Sequence, residues 1–305
     1  MTRLVLAAVG VLVLPAMSNG QDLDAIVRQA DVRRREYIEA FKSLTATETR
    51  VTERFDKTGA LEKQRKVVSD FLVYQSELKT DEVGEYRIAH EVDGKPVGDA
   101  AEAIKTFERL ARSKTLQQES DRLRDANAKY ALGYATWGAT LNPLPPFRPD
   151  QRDQHEFVVE GRDRVNDRDV VIVSFRSKEF RPVEPKVLYR QFKQPRSGIR
   201  GRVWLDAENG RAHRLEDEMV AVAEAMTTPV VLMRYEVEYG PSAFDLLTPR
   251  KVVVSFFDRS EKKTPQIRWL NARITYTYDA FKRFEVATSS DIHLPAVNEP
   301  AEHKP

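Results

Sequence analysis

Apolar residues enter this chain with three different spacings. Residues 4–17 are apolar almost without a break. From Leu23 they recur every three or four positions, as Leu23, Ile26, Val27, Ala30, Tyr37, Ile38, Phe41 and Leu44, with Arg33, Arg34 and Arg35 between them. That is the stripe of an amphipathic helix. From residue 45 the period shortens and Thr and Val become frequent, so strands are predicted over 45–55, 66–78 and 85–92, with turns at 56–59 and 93–94. Residues 99–132 return to helical composition, with Ile104, Phe107, Leu110, Ala111, Leu116 and Leu123 on one side, Asp99 as N-cap and Gly133 as stop.

A Pro-rich connector over 142–149 leads into a region that reads as strand after strand: 155–160, 169–176, 199–206, 211–222, 230–239, 251–258 and 268–278. No crossover helices separate them, so they form an antiparallel meander. Two of them alternate cleanly. Met233, Tyr235, Val237 and Tyr239 oppose Arg234, Glu236 and Glu238, and Leu270, Ala272, Ile274, Tyr276 and Tyr278 oppose Asn271, Arg273, Thr275 and Thr277. One wet face and one apolar face describe a large one-sided sheet, whose apolar side has the two helices to cover it. The fold class is therefore α+β, built on a large curved antiparallel sheet.

The first apolar run, fourteen residues preceded by Thr2 and Arg3 and followed by Ser18-Asn19-Gly20, has the make-up of a secretory signal and falls short of a bilayer span. Cleavage before Gln21 and a periplasmic or secreted location are expected. The organisation expected is then a signal peptide over 1–20, a single domain over 21–294 with a helical insertion at about 99–132, and a polar tail over 295–305. The 305 residues contain no Cys, which excludes disulfides, thiolate chemistry, Cys-held metal and acylation on Cys. With 49 Lys and Arg against 47 Asp and Glu, the net charge of +2 sets no strong overall field.

Catalytic patterns are missing: there is no HExxH, GxSxG, P-loop, GxGxxG or EF-hand string, and the five His stand apart in sequence. Ser76-Glu77-Leu78-Lys79 and Lys57-Thr58-Gly59 match fragments of penicillin-binding serine enzymes but occur in the wrong order, and the serine ends a strand instead of opening a helix. Glu216-Asp217-Glu218 reads as a solvated strand rim. Between Lys178 and Arg202 eight bases meet two acids, with Phe180, Tyr189 and Phe192 interleaved. In an exported protein such a segment meets anionic lipid or polysaccharide, so Lys186, Arg190, Lys193, Arg196 and Arg200 are candidates for surface binding, and nucleic acid is not an expected partner. A long solvated loop or hairpin extension explains the same composition.

The string Gly201-Arg202-Val203-Trp204-Leu205-Asp206-Ala207-Glu208-Asn209-Gly210-Arg211 resembles the G-x-V-W-[IL]-D-x-x-x-G hairpin of outer-membrane lipoprotein-sorting proteins and their LolA/LolB-like relatives among bacterial exported proteins. The order of elements from residue 22 to 294 is similar as well. The resemblance implies an incomplete antiparallel barrel, its concave apolar face closed by helices and accepting acyl chains. On this reading the protein is a non-enzymatic carrier or binding protein for a lipid, acyl chain or lipoprotein, without cofactor or metal. Met233, Tyr235, Val237, Tyr239, Leu270, Ile274, Tyr276 and Tyr278 are then the candidate cavity wall, although a dry core explains each of them equally well. The alternative is an envelope structural or interaction protein that holds an anionic surface or protein partner through its basic segment.

Overall fold

The computed structural model describes residues 19–41, 44–76, 79–98, 105, 128, 130–134, 144–182, 196–222, 229–259 and 268–283. The expected polar tail and residues 1–18 of the expected signal segment lie outside these residues, as does nearly all of the expected helical insertion, while Asn19 and Gly20 open the first helix. Helix α1 (Asn19–Phe41) buries the stripe its spacing announces. Val27, Ala30, Tyr37 and Phe41 are enclosed, and Leu23, Ile26 and Ile38 flank them. Asp31 is buried on the same helix and is held by Arg34 at 2.9 Å and Arg35 at 3.5 Å, one turn on.

Twelve strands follow: β1 (Leu44–Phe55), β2 (Leu61–Ser76), β3 (Lys79–Val92), β4 (Lys95–Pro96), β5 (His155–Val165), β6 (Arg168–Ser177), β7 (Arg181–Pro182), β8 (Arg196–Asp206), β9 (Ala212–Val222), β10 (Val230–Pro241), β11 (Leu247–Arg259) and β12 (Arg268–Arg283). A short helix α2 (Pro149–Arg152) precedes β5. The strands form one antiparallel sheet ordered β4-β3-β2-β1-β12-β11-β10-β9-β8-β6-β5, with β7 pairing on β8. Among the described residues the order does not close on itself, and the sheet is an incomplete barrel. Register shifts interrupt nearly every ladder, as at Thr45/Thr47 and Val159/Gly161, and each bends its strand.

Directly paired residues share a face, so register shows what each face carries. One inner row runs Val173, Val203, Leu215, Val237, Val252, Tyr276, Arg50 and Val67. The next runs Phe157, Phe175, Gly201, Asp217, Tyr235, Val254, Ile274 and Thr52. The apolar members of both rows other than Val67 meet α1 in one core. Leu144 and Phe147 join that core from the 3-10 turn at Pro145–Phe147, inside the stretch the sequence offered only as a connector.

The outer face is an ionic lattice. Arg176 reaches Glu156 at 2.6 Å, Arg202 reaches Glu160 at 2.7 Å, and Glu218 sits between Arg200 and Arg234 at 2.8 Å each. Glu216 pairs with Arg214. The run Glu216-Asp217-Glu218 is therefore no solvated rim. It lies on β9, between β8 and β10, with two carboxylates in the outer lattice and Asp217 on the inner side.

Candidate functional site

The Trp204 hairpin ties the sheet to α1. Val203 and Leu205 enter the core, and Trp204 lies on the other face under the Arg214 guanidinium, 4.9 Å from its ring centre. Asp206 organises the turn, accepting the backbone N–H groups of Glu208 and Asn209 and the Arg168 guanidinium at 2.9 Å. Burial works against its charge, but Arg168, these two backbone donors and His213 overcome it and hold the carboxyl at about 2. Gly210 takes a left-handed φ of 71° against the Gln29 side chain of α1, and Arg33 donates to the Asn209 carbonyl at 2.8 Å.

On the inner face, six of the eight candidate wall residues are enclosed in the core: Tyr235, Val237, Tyr239, Ile274, Tyr276 and Tyr278. Met233 packs half-buried against them, and Leu270 is half-buried toward the other end of β12. Aromatic contacts join α1 to the wall. Tyr37 meets Tyr239 edge-on at 6.1 Å, and Phe41, Phe281, Tyr278 and Phe71 form a chain with centroid separations of 5.3–5.9 Å. Burial pushes the Tyr37 and Tyr235 hydroxyls well above the ordinary phenol range.

This wall also holds charge, which sequence reading did not assign to it. Arg87 on β3 directs its Nε at both carboxylate oxygens of Glu48 at 2.8 Å and reaches Glu85 at 3.1 Å, with all three side chains at least nine-tenths buried. Its guanidinium lies 5.1 Å from the Phe71 ring and 5.4 Å from the Tyr276 ring. Desolvation disfavours the Arg87 charge, but the two glutamates outweigh it and raise its pKa well above the usual value. Arg50, two residues beyond Glu48 and paired with Tyr276, is buried, and desolvation lowers its pKa. Arg50 Nε, the Thr52 hydroxyl and the Tyr239 hydroxyl are buried without a hydrogen-bond partner among the described residues. Asp217, between Gly201 and Tyr235 in register, is pushed up to about 7 by burial and by the neighbouring Glu218 charge.

Of the surface candidates, Lys186, Arg190 and Lys193 lie outside the described residues. Arg196 is exposed at the β7–β8 pairing, and Arg200 is committed to Glu218. The outer lattice encloses a shallow concavity of about 780 Å³ over Gly201, lined by opposing charges that largely cancel. Ser177 Oγ and His155 Nε2 are 3.5 Å apart, and the serine accepts the Ile199 N–H. Among the described residues no group of three or more His, Asp or Glu could hold a metal ion.

No protein-family profile matches the chain, and no curated protein does. Among solved structures, it is similar to a DUF1329 family protein from Desulfovibrio piger (10% identity, 87% of this chain and 94% of that one, TM-score 0.38). It is similar also to a putative outer membrane lipoprotein-sorting protein domain from Vibrio parahaemolyticus (9%, 84% and 91%, 0.39). A third is a LolA superfamily protein from Nitrosomonas europaea (9%, 87% and 94%, 0.31).

Proposed function

We propose that this chain is a non-catalytic carrier or binding protein of the cell envelope, exported by its N-terminal apolar segment, that holds an acyl chain of a lipid or lipoprotein between the inner sheet face and α1. The observation that carries the reading is the composition of that face. It is an aromatic and aliphatic wall in which a few polar groups, Arg50 Nε, Thr52 Oγ1 and Tyr239 OH, are buried with no partner among the described residues. A wall made only to fill a core gains nothing from such groups, whereas a ligand site uses a few polar positions to orient an otherwise apolar guest.

Each buried methylene of the guest contributes about 0.8 kcal/mol, so a twelve-carbon chain supplies ample driving force even after the cost of displacing α1. The helix is suited to leave: it packs through Val27, Ala30, Tyr37 and Phe41, while its other side is charged and solvated. Of the residues named for the surface-binding alternative, Arg200 is already paired with Glu218.

Native mass spectrometry of the exported protein, followed by organic extraction, tests the reading. A reproducible bound mass that extracts as lipid or acylated peptide supports it. A clean apoprotein mass, with no uptake of added phospholipid or acyl peptide, removes it.

A further inference from the structure

A second cavity, of about 200 Å³, lies where α1 crosses the β8–β9 and β10–β11 turns. Its size is below the 300 Å³ or so at which a site encloses a whole small molecule, so it fits one end of a longer guest. Tyr37, Leu144 and Tyr239 belong both to its wall and to the core of the inner face, which makes the two spaces neighbours.

Its charged groups are unequally committed. Arg34 is held by buried Asp31 at 2.9 Å. Arg33 bonds the Asn209 carbonyl and Glu36, leaving part of its fork of five donors unused. Among the described residues Arg211 pairs with Asp245, at 3.3 Å and 94% exposed, and a pair so open to water holds its cation weakly. With Arg34 neutralised by Asp31, Arg33 and Arg211 are the two guanidiniums whose carboxylate partners, Glu36 and Asp245, are half or more exposed and so hold them weakly. On the same wall stands Tyr239, whose buried hydroxyl has no partner among the described residues.

We infer that this cavity seats the anionic headgroup of the amphiphile, a carboxylate or phosphate, with Arg211 and Arg33 as its cationic partners and Tyr239 as a further donor. The inference rests on the acyl-chain reading of the inner face. It adds what that reading lacks: the sign and position of the polar end. Planar guanidiniums suit both oxyanions, because their paired N–H groups match paired oxygens.

The test uses the full chain and a twelve-carbon series: dodecanoate, dodecyl phosphate, dodecanol and dodecyltrimethylammonium, each displacing a fluorescent apolar probe, with acetate and inorganic phosphate as chainless arms. The expected result is that one or both alkyl anions bind at least tenfold tighter than dodecanol and the cation. Arg211→Gln should remove most of that difference and leave dodecanol unchanged, Arg211→Lys should restore part of it, and Tyr239→Phe should weaken the anions severalfold. Preference for dodecanoate or for dodecyl phosphate names the headgroup. Equal binding of anion and alcohol, or an Arg211→Gln variant that keeps the preference, overturns the headgroup site and leaves the acyl-chain reading standing. Acetate or phosphate binding as tightly as the alkyl anions makes this a free-anion site and overturns the assignment to a headgroup. No displacement by any twelve-carbon ligand overturns the acyl-chain reading together with the inference.

Discussion

Replacing Glu48 by Gln keeps shape and volume and removes one charge from the buried cluster on the inner face. In the native protein Arg50 and Arg87 are balanced by Glu48 and Glu85, and Glu48 is 1% exposed with both carboxylate oxygens 2.8 Å from Arg87 Nε. The variant leaves two cations against one anion where water cannot screen them. Breaking a buried pair from one side costs about 3–5 kcal/mol, because the remaining charge keeps its desolvation penalty and loses its compensation. For a chain of this size, at about 2–4 °C per kcal/mol, the melting temperature should fall by roughly 6–20 °C. Thermal unfolding followed by circular dichroism, with a urea titration to obtain the midpoint at fixed temperature, reads the loss directly. The double variant Glu48→Gln/Arg87→Met restores neutrality and should recover much of it, giving a coupling energy above about 1.5 kcal/mol. A Glu48→Gln protein within about 1 kcal/mol of wild type would refute the argument, since it would mean that water or a rearranged partner already compensates Arg87.

Three further outcomes follow from other parts of the sheet. Asp217, at about 7 when folded and about 3.9 when unfolded, takes up a proton on folding; its contribution is therefore complete below about pH 4 and lost as pH rises through 7. Asp217→Asn should match wild type near pH 4 and exceed it by up to about 4 kcal/mol at pH 8.5 in urea titrations, and parallel pH curves would count against this. Asp206 has the opposite sign: its folded value of about 2 gives stability that is present above about pH 4 and lost as pH falls through 2. Asp206→Asn should cost about 2 kcal/mol at pH 7 and nearly nothing at pH 2, which acid titration of the two proteins compares. At Gly201 an added methyl group would meet Phe175 Cζ at 2.6 Å and the Glu216 carbonyl. Gly201→Ala should therefore lose about 1–3 kcal/mol by urea denaturation, and an unchanged midpoint would show that the crossing of Phe175 over β8 is not tight.

The strands that sequence reading placed with most detail are those with one wet face. In β10 and β12 the inward tyrosine and aliphatic residues mostly alternate with charged or polar ones, so parity alone predicts Tyr235, Tyr239, Ile274 and Tyr276 inside. On β1 the same rule is silent. Ala46, Glu48, Arg50 and Thr52 point inward and Thr47, Thr49, Val51 and Glu53 outward, and neither set is more apolar than the other. What buries Glu48 and Arg50 is their pairing with β12, more than two hundred residues away, and no local signal encodes that. Asp217 did leave a trace. It shares the parity of Leu215 and Met219, so a carboxylate within an apolar set was readable, but the flanking glutamates drew attention to charge and away from position. Leu144 and Phe147 were masked by the surrounding prolines, whose turn chemistry suggests a surface connector although the turn folds back onto the core.

The pairing of β1 with β12 also sets the order in which this molecule can become whole. Every other long ladder joins strands close in sequence and can form as a local hairpin, but β1 must wait for the last strand of the sheet before it acquires its second neighbour. Until then two raw edges, β1 on one side and β11 on the other, are open to any strand that passes, and contacts of such long range are slow to form. A chain interrupted before residue 268 would keep both edges permanently, and would be a substrate for proteases and a template for aggregation despite carrying eleven of the twelve described strands. Quality control thus has one late event to monitor, the arrival of β12, and that arrival also places Tyr276 beside Arg50.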